Sequence, residues 1–345
     1  MRTREMNSCG LTVGLTYDLR DAWLAEGYSE LETAEFDRVD TIDSIERTLL
    51  ELGFAVDRIG NLKQLADRLV NGDRWDLVFN ICEGMHGIGR EAQVPALLDA
   101  YQVPYVFSDT LVCALTLHKG MTKDVVRAAG VATPDHVVVQ KLADVAGIKM
   151  PFPLFAKPLA EGTGKGVDVN SKTTSMSRLR HVCARLLEQY QQPVLVERFL
   201  PGREFTVGIL GTGTGAQALA TLEIHLLSKA DAEVYSYRNK EECEELVRYN
   251  LLTPGNLRNS IESLALQAWQ ALGCRDAGRI DIRLDEAGKP GFIEVNPLAG
   301  IHPEHSDLPI MATMVGVSYL ELIETIMHSA MKRYGLAGQA RTLAA

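Results

Sequence analysis

The chain has 345 residues, of which 46% are hydrophobic, and carries a net charge of −10; it reads as a soluble protein too long for one compact core, so two or three subdomains are expected. That charge argues against a surface that tracks nucleic-acid phosphates, while a local basic pocket for a nucleotide remains open. No apolar run reaches spanning length, the N-terminus has no long apolar region with a cleavage site, and six scattered cysteines lack CxxC spacing, so the cytoplasm and reduced thiols are expected, with no membrane partner.

Leu11–Thr16 is a short β-branched run and predicts a strand, whereas the acidic stretch Tyr17–Asp40 is assigned no element. Ile42, Ile45, Leu49 and Leu52 recur at helical spacing and predict a helix over Thr41–Leu52. Phe54–Ile59, Asp76–Ile81 and Val103–Ser108 predict further strands, and Glu91–Tyr101 a helix with Val94, Leu97 and Leu98 inward. Strand and helix alternating in this way mean a parallel sheet covered on both faces. Ligands of such sheets sit at the carboxyl ends of strands, which is where the glycine-punctuated stretch Glu83–Glu91 falls.

After Lys119 the texture changes. Met121–Ala129 predicts a helix, and Asp135–Val139 and Pro153–Lys157 predict strands. Glu161–Gly166 reads as a mobile glycine-rich loop, Ser175–Tyr190 as a helix and Pro193–Phe199 as a strand. From Glu204 strands and helices are expected to alternate through Leu227, and the charged, Tyr-rich Ser228–Leu252 reads as a long loop. Asn256–Leu272 predicts a helix and Ser318–Arg333 a final amphipathic one.

Between those helices, Gly278–Pro297 alternates apolar and polar residues on both sides of turn chemistry at Asp285–Pro290 and predicts an antiparallel hairpin. Folding it brings Asp281, Glu294 and Asn296 together beside Arg279. Such an oxygen set suits Mg²⁺, a hard cation that keeps several waters and commonly binds substrate phosphates too. The bland alternative is a polar face turned to solvent.

The loop Gly162–Gly166 is no Walker A, and no GxGxxG opens a helix after a first strand. Alone it would be a plain turn. Its neighbours change that reading: Lys157 ends the strand before it, Glu197 ends another, and Glu204 follows. Glycines let backbone N–H groups approach phosphate oxygens, a lysine neutralises them, and carboxylates hold adenine and ribose. His302, Glu304 and His305 lack a well-spaced third partner for a transition metal, and Cys82 reads as a buried strand-end thiol rather than a nucleophile.

From Asp76 to about Ala330, roughly three quarters of the chain, these residues resemble the D-alanine–D-alanine ligase branch of the ATP-grasp superfamily. His86–Glu91 is similar to its HGxxGE loop, and Val103–Lys123 to its PYxG…DKxxxK segment, with His118 in place of the usual Asp. Ala156–Gly166 resembles KPxxEGSSxG, Val196–Val207 the hinge and ribose-binding segment, and Tyr235–Lys240 the YxYxxK loop. The hairpin and Gly300–Pro309 match the metal-binding and acceptor-binding end.

The resemblance implies an α/β (α+β) ATP-grasp fold in three subdomains: residues 1–118 an open parallel α/β sheet, 119–203 a small α+β unit, and 204–345 an α+β unit carrying the metal and acceptor sites. It implies ATP at Lys119, Lys157, Glu161, Thr163, Gly164, Glu197, Arg198, Phe199, Leu200, Glu204 and Ile293. The backbone of Arg198 and Leu200 would hold adenine. Two Mg²⁺ ions, replaceable by Mn²⁺, would sit on Asp281, Glu294 and Asn296. Arg279 and the Gly300 N–H would form an oxyanion pocket, with Lys240, His86 and Glu91 as further catalytic residues and Ser306, His305 and Tyr237 on the substrate.

The implied chemistry is carboxylate–amine ligation. A carboxylate attacks the γ-phosphate to give an acyl phosphate, releasing ADP, and an amino-acid-like amine then displaces phosphate. Ser228–Leu252 would be the lid that excludes water. A homodimer is a further implication of the resemblance.

Departures shape the expectation of substrate. Family members open with GGxSxExxxS, whose glutamate holds the first amino acid's ammonium, while Val13–Arg20 here has neither the glycine pair nor that glutamate. Residue 241, after the lysine, is Glu rather than tyrosine. The expectation is therefore a peptide-type ligase whose acceptor has an α-carboxylate and whose donor pocket is rebuilt from Tyr17–Asp40. The alternatives are a genuine D-alanine–D-alanine ligase, a kinase that stops at phosphorylation, and a non-catalytic nucleotide-binding protein.

Overall fold

The computed structural model describes residues 10–227 and 246–336. Strand β1 (Thr12–Thr16) pairs in parallel with β2 (Ala55–Gly60) on one side and β3 (Leu77–Asn80) on the other. A short helix α1 (Arg20–Ala25) follows β1, and α2 (Val39–Glu51) turns Ile42, Ile45 and Leu49 onto the sheet, as their spacing demands. Helix α3 (Leu62–Val70) opens on an Asn61–Gln64 capping box. A 3₁₀ turn at Arg90–Ala92 then leads into α4 (Gln93–Ala100).

Val103–Ser108 is not a strand. It makes a single parallel bridge, Tyr105 with Val78, before Phe107 adopts φ +74° and turns the chain away. Its β-branched and aromatic residues are buried, so the composition reflected burial and not pairing.

Helices α5 (Thr110–Leu117) and α6 (Lys119–Ala128) lead to a second, antiparallel sheet, ordered β4 (His136–Val139), β7 (Val194–Arg198), β5 (Leu154–Pro158), β6 (Lys172–Thr173). Helix α7 (Met176–Tyr190), capped by Ser175, packs Leu179, Val182 and Leu186 onto it. The third sheet is antiparallel too, in the order β10 (Val247–Leu251), β9 (Gln217–Leu226), β8 (Glu204–Leu210), β11 (Ala277–Leu284), β12 (Pro290–Asn296). Between Glu204 and Leu227 the expected alternation of strands and helices is absent: β8 and β9 are joined by a 3₁₀ turn at Gly213–Gly215. The expected long loop to Leu252 ends as β10, and residues 228–245, with Tyr237, Lys240 and Glu241, lie outside the described residues.

Helix α8 (Asn256–Leu272) covers one face of the third sheet, and α9 (Asp307–Met314) lies against β8 and β9. The last helix, α10 (Tyr319–Arg333), does not stay with this sheet. Its Leu322, Ile323, Ile326 and Met327 enter the core formed by Val13, Leu15, Ile42 and Ile45. Asp276, fully buried at φ +62°, seals the junction: it accepts from Phe107 N (2.8 Å), Ser329 Oγ (2.8 Å), and Arg333 Nε (3.0 Å) and Nη2 (2.6 Å). Among the described residues no single helix is long and apolar enough to cross a membrane.

Candidate functional site

Strands β5, β7 and β12 bring lysines and carboxylates from three stretches of sequence to one cleft. An open cavity is lined by Lys119, Lys157, Glu161, Gly164, Lys165, Glu197, Arg198, Phe199, Leu200, Glu204, Asp281, Ile293 and Glu294. Thus nearly all residues expected at a nucleotide meet here, and Thr163 lines the adjoining cavity. Arg198 N donates to Asp135 O (2.8 Å), so of the Arg198 backbone the carbonyl is the group left to face the cleft. Arg283 stands over the Phe199 ring (4.7 Å) and pairs with Glu204 (3.3 Å), which stiffens that end of the cleft.

Under the cleft lies a buried ionic floor. Lys123 Nζ is 2.9 Å from Glu197 Oε2, and Lys157 Nζ is 3.3 Å from both Glu197 Oε1 and Glu294 Oε2. Burial alone would raise the Glu197 carboxyl, but Lys123 and Lys157 hold it below its ordinary value. Burial pushes the Lys123 ammonium down to about 8 despite Glu197, and lowers Lys119 as well. Lys157 goes the other way: burial is outweighed by its two carboxylates.

The hairpin pairs Arg279 with Asn296 and Asp281 with Glu294, with a bulge after Asp281. Asp281 Oδ2 accepts from Asn296 Nδ2 (3.3 Å), while its Oδ1 is buried without a hydrogen-bond partner among the described residues. A buried acceptor left open is costly unless something fills it. Two carboxylates and one amide, with no third acid, His or Cys joining them among the described residues, suit a hard divalent cation that completes its shell with water and phosphate. They do not suit zinc.

A second cavity opens from the same place and shares Lys119 and Glu294 with the first. Arg279, Gly300, His305 and Ser306 line one side, and Glu35, Glu83 and Glu91 the other. Arg279 is set by Thr206 Oγ1 (3.2 Å) and Asp307 Oδ2 (3.1 Å). Ser306 Oγ accepts from His302 N (2.9 Å), and a Cβ on Gly300 would lie 2.7 Å from that oxygen, so the close approach requires glycine. Burial raises both carboxyls: Glu83 well above its ordinary value, with the charge of Glu91 adding to it, and Glu91 to about 7, with Glu35 adding and Arg90 opposing. The cavity thus presents a guanidinium at one end and carboxyls at the other.

Not every expected residue is here. His86 is exposed on the outer side, against Tyr28 Oη (3.1 Å), and lines a separate cavity with Glu32 and Tyr190. His302 and His305 stack at 4.5 Å without forming a metal cluster. Lys240 and Tyr237 lie outside the described residues. Conversely, Lys123, Glu83, Lys165 and Asp307 belong to the site and were not singled out, nor was Glu35 from the unassigned acidic stretch. Lys123 had a signal: it is the second lysine of the Lys119–Lys123 segment.

Comparison with known proteins agrees with this geometry. Residues 125–328 match the family described as D-ala D-ala ligase C-terminus. The D-alanine–D-alanine ligase of Marinomonas sp. (strain MWYL1) is 32% identical over 267 residues, 76% of this chain and 79% of its own. That of Aquifex aeolicus (strain VF5) is 31% identical over 285 residues, 82% and 92% respectively. In fold, the chain superposes on the D-alanine–D-alanine ligase from Bacillus anthracis complexed with ATP with a TM-score of 0.72 at 21% identity, covering 95% of this chain and 99% of that one.

Proposed function

The chain belongs to the D-alanine–D-alanine ligase family, and from that premise we propose that this ATP-dependent, ADP-forming ligase joins two amino acids, with D-alanine as both donor and acceptor. The observation that carries the reading is the junction of the two cavities at Lys119 and Glu294. A phosphoryl group handled in the first cleft is delivered where a carboxylate in the second can receive it.

Asp281, Glu294 and Asn296 would hold Mg²⁺, which when bound neutralises charge on the phosphates. The chain's own residues supply the rest. Lys157 and Lys119 neutralise phosphate oxygens, and the glycine loop offers backbone N–H groups. The donor carboxylate takes the γ-phosphoryl group, ADP leaves, and the acceptor amine attacks the acyl carbon and displaces phosphate. Arg279, aimed by Thr206 and Asp307, and the Gly300 N–H face the oxyanion of that step, a contribution of about 3 kcal/mol per donor. Ser306 receives the acceptor's carboxylate, and Glu83 with Glu91 lie at the end suited to an ammonium.

A second reading, a donor other than D-alanine, is favoured by one observation. The first loop has no glutamate for the donor's ammonium, and Glu35, which enters the cavity instead, is already bound by two cations. The deciding experiment is ADP release with MgATP and D-alanine alone, with the product identified by mass spectrometry. A D-alanyl dipeptide is expected; ADP release only with pooled or paired amino acids overturns the first reading in favour of the second.

A further inference from the structure

The acidic stretch between α1 and α2 does something specific. Glu35, 6% exposed, points into the interface between the first sheet's loops and the glycine loop. Its Oε2 receives Arg90 Nη2 at 2.7 Å, and its Oε1 receives Gly162 N at 2.5 Å with Lys165 Nζ at 3.4 Å. Both cations also grip the loop: Arg90 Nη1 donates to Ala160 O (2.7 Å), and Lys165 Nζ pairs with Glu161 Oε2 (2.6 Å). The next carbonyl along, Glu161 O, accepts from Lys119 Nζ at 2.6 Å. A Cβ on Gly162 would sit 2.6 Å from Glu35 Oε1, so any larger residue there would have to displace the carboxylate from its two cations.

We propose that Glu35 is a positioning residue that fixes the glycine loop, and through it Lys119, over the nucleotide's phosphates. The inference needs only nucleotide use and not the identity of the amino acids joined. Three features exclude the simpler roles. Both carboxylate oxygens are committed to the loop and its cations, so Glu35 is not a receiver for a substrate ammonium. A solvated surface charge would not be enclosed with two cations of similarly low exposure. And burial, which by itself would neutralise the carboxyl, is overcome by Arg90 and Lys165, which hold it down to about 2. The loop expected to be mobile is thereby tied at its first residues to the other side of the substrate cavity. Backbone N–H groups bind phosphate well only if the loop is ordered before the nucleotide arrives, since ordering it afterwards weakens binding.

The test compares Glu35→Gln and Glu35→Asp with the wild type in MgATP titration calorimetry without amino acids, and in amide hydrogen exchange across residues 160–167. Gln keeps the shape and an acceptor for Gly162 N but removes the charge that Arg90 and Lys165 share, leaving Lys165 to Glu161. Expected are a loss of MgATP affinity of about tenfold, the order of one charge-assisted hydrogen bond, faster exchange confined to the loop, and partial recovery in the Asp variant. Should Glu35→Gln fail to fold, Gly162→Ala disturbs the same contact with all charges in place and is expected to give the same loop exchange and affinity loss. Affinity within twofold of wild type, or faster exchange spread over the whole first sheet with nucleotide binding intact, overturns the inference. Absence of MgATP binding by the wild type would instead overturn the nucleotide reading.

Discussion

Replacing Lys123 by Met tests the ionic floor beneath the nucleotide cleft. The Lys123 side chain is 0% exposed, and its Nζ faces Glu197 Oε2 (2.9 Å), Thr133 Oγ1 (3.2 Å) and Phe292 O (3.3 Å). Methionine fills similar space but leaves Glu197 with Lys157 alone. Breaking a buried pair from one side costs about 3–5 kcal/mol. Because Lys157 still offsets part of the charge, about 3 kcal/mol is expected here. The double variant Lys123→Met/Glu197→Gln removes both charges, and Lys157 keeps Glu294 at 3.3 Å. It should therefore cost no more than the single change, a coupling of about 2 kcal/mol. Urea unfolding followed at several pH values measures this. Since the folded ammonium is pushed down to about 8 from its ordinary 10.5, the folded state binds fewer protons than the unfolded one across that window. Wild-type stability should then rise with pH between those values, and the variant's should not. Additive losses, or a single-variant cost below about 1 kcal/mol, would refute the assignment of the floor as a tightly coupled pair.

Gly300→Ala should push Ser306 Oγ from the His302 N–H and raise the acceptor's KM by about tenfold or more, with MgATP binding unchanged; steady-state kinetics against each substrate separate the two. Glu83→Gln should remove a carboxyl that burial, with the neighbouring Glu91, holds well above its ordinary value, while its amide can still donate to Glu91. In the wild type, the folded protein keeps protons that the unfolded chain releases above the ordinary 4.5, so stability falls as pH rises from there to about 7. The variant should lose Glu83's share of that slope, keep that of Glu91, and gain about 2 kcal/mol at pH 8 but little at pH 5. Equal melting-temperature shifts at both pH values would count against the pair.

The hairpin and the glycine loop were legible because their chemistry is local. Alternation over a few residues set Asp281 opposite Glu294, and Lys157, Glu197 and Glu204 stand at strand ends that periodicity alone locates. What could not be read is what depends on distant partners. Glu35 meets Arg90 and Lys165 across 55 and 130 positions of sequence, and its own stretch has neither helical nor strand period. Asp307 opens α9, a helix the sequence pattern did not predict, and that it aims Arg279 follows only from the packing of α9 against the third sheet. Val103–Ser108 misled for the opposite reason: burial and strand pairing favour the same residue types, and only the positive φ at Phe107 separates them.

Asp276 and the apolar face of α10 have a consequence for how the molecule is made. The core around Val13 and Leu15 is finished by Leu322, Ile323 and Ile326. On the ribosome, then, the first sheet emerges with an apolar surface it cannot cover from its own neighbourhood, and it waits through the synthesis of both later sheets. Local helices can form on schedule; closure cannot. The beginning of the chain reaches its folded state as one of the last events in its production.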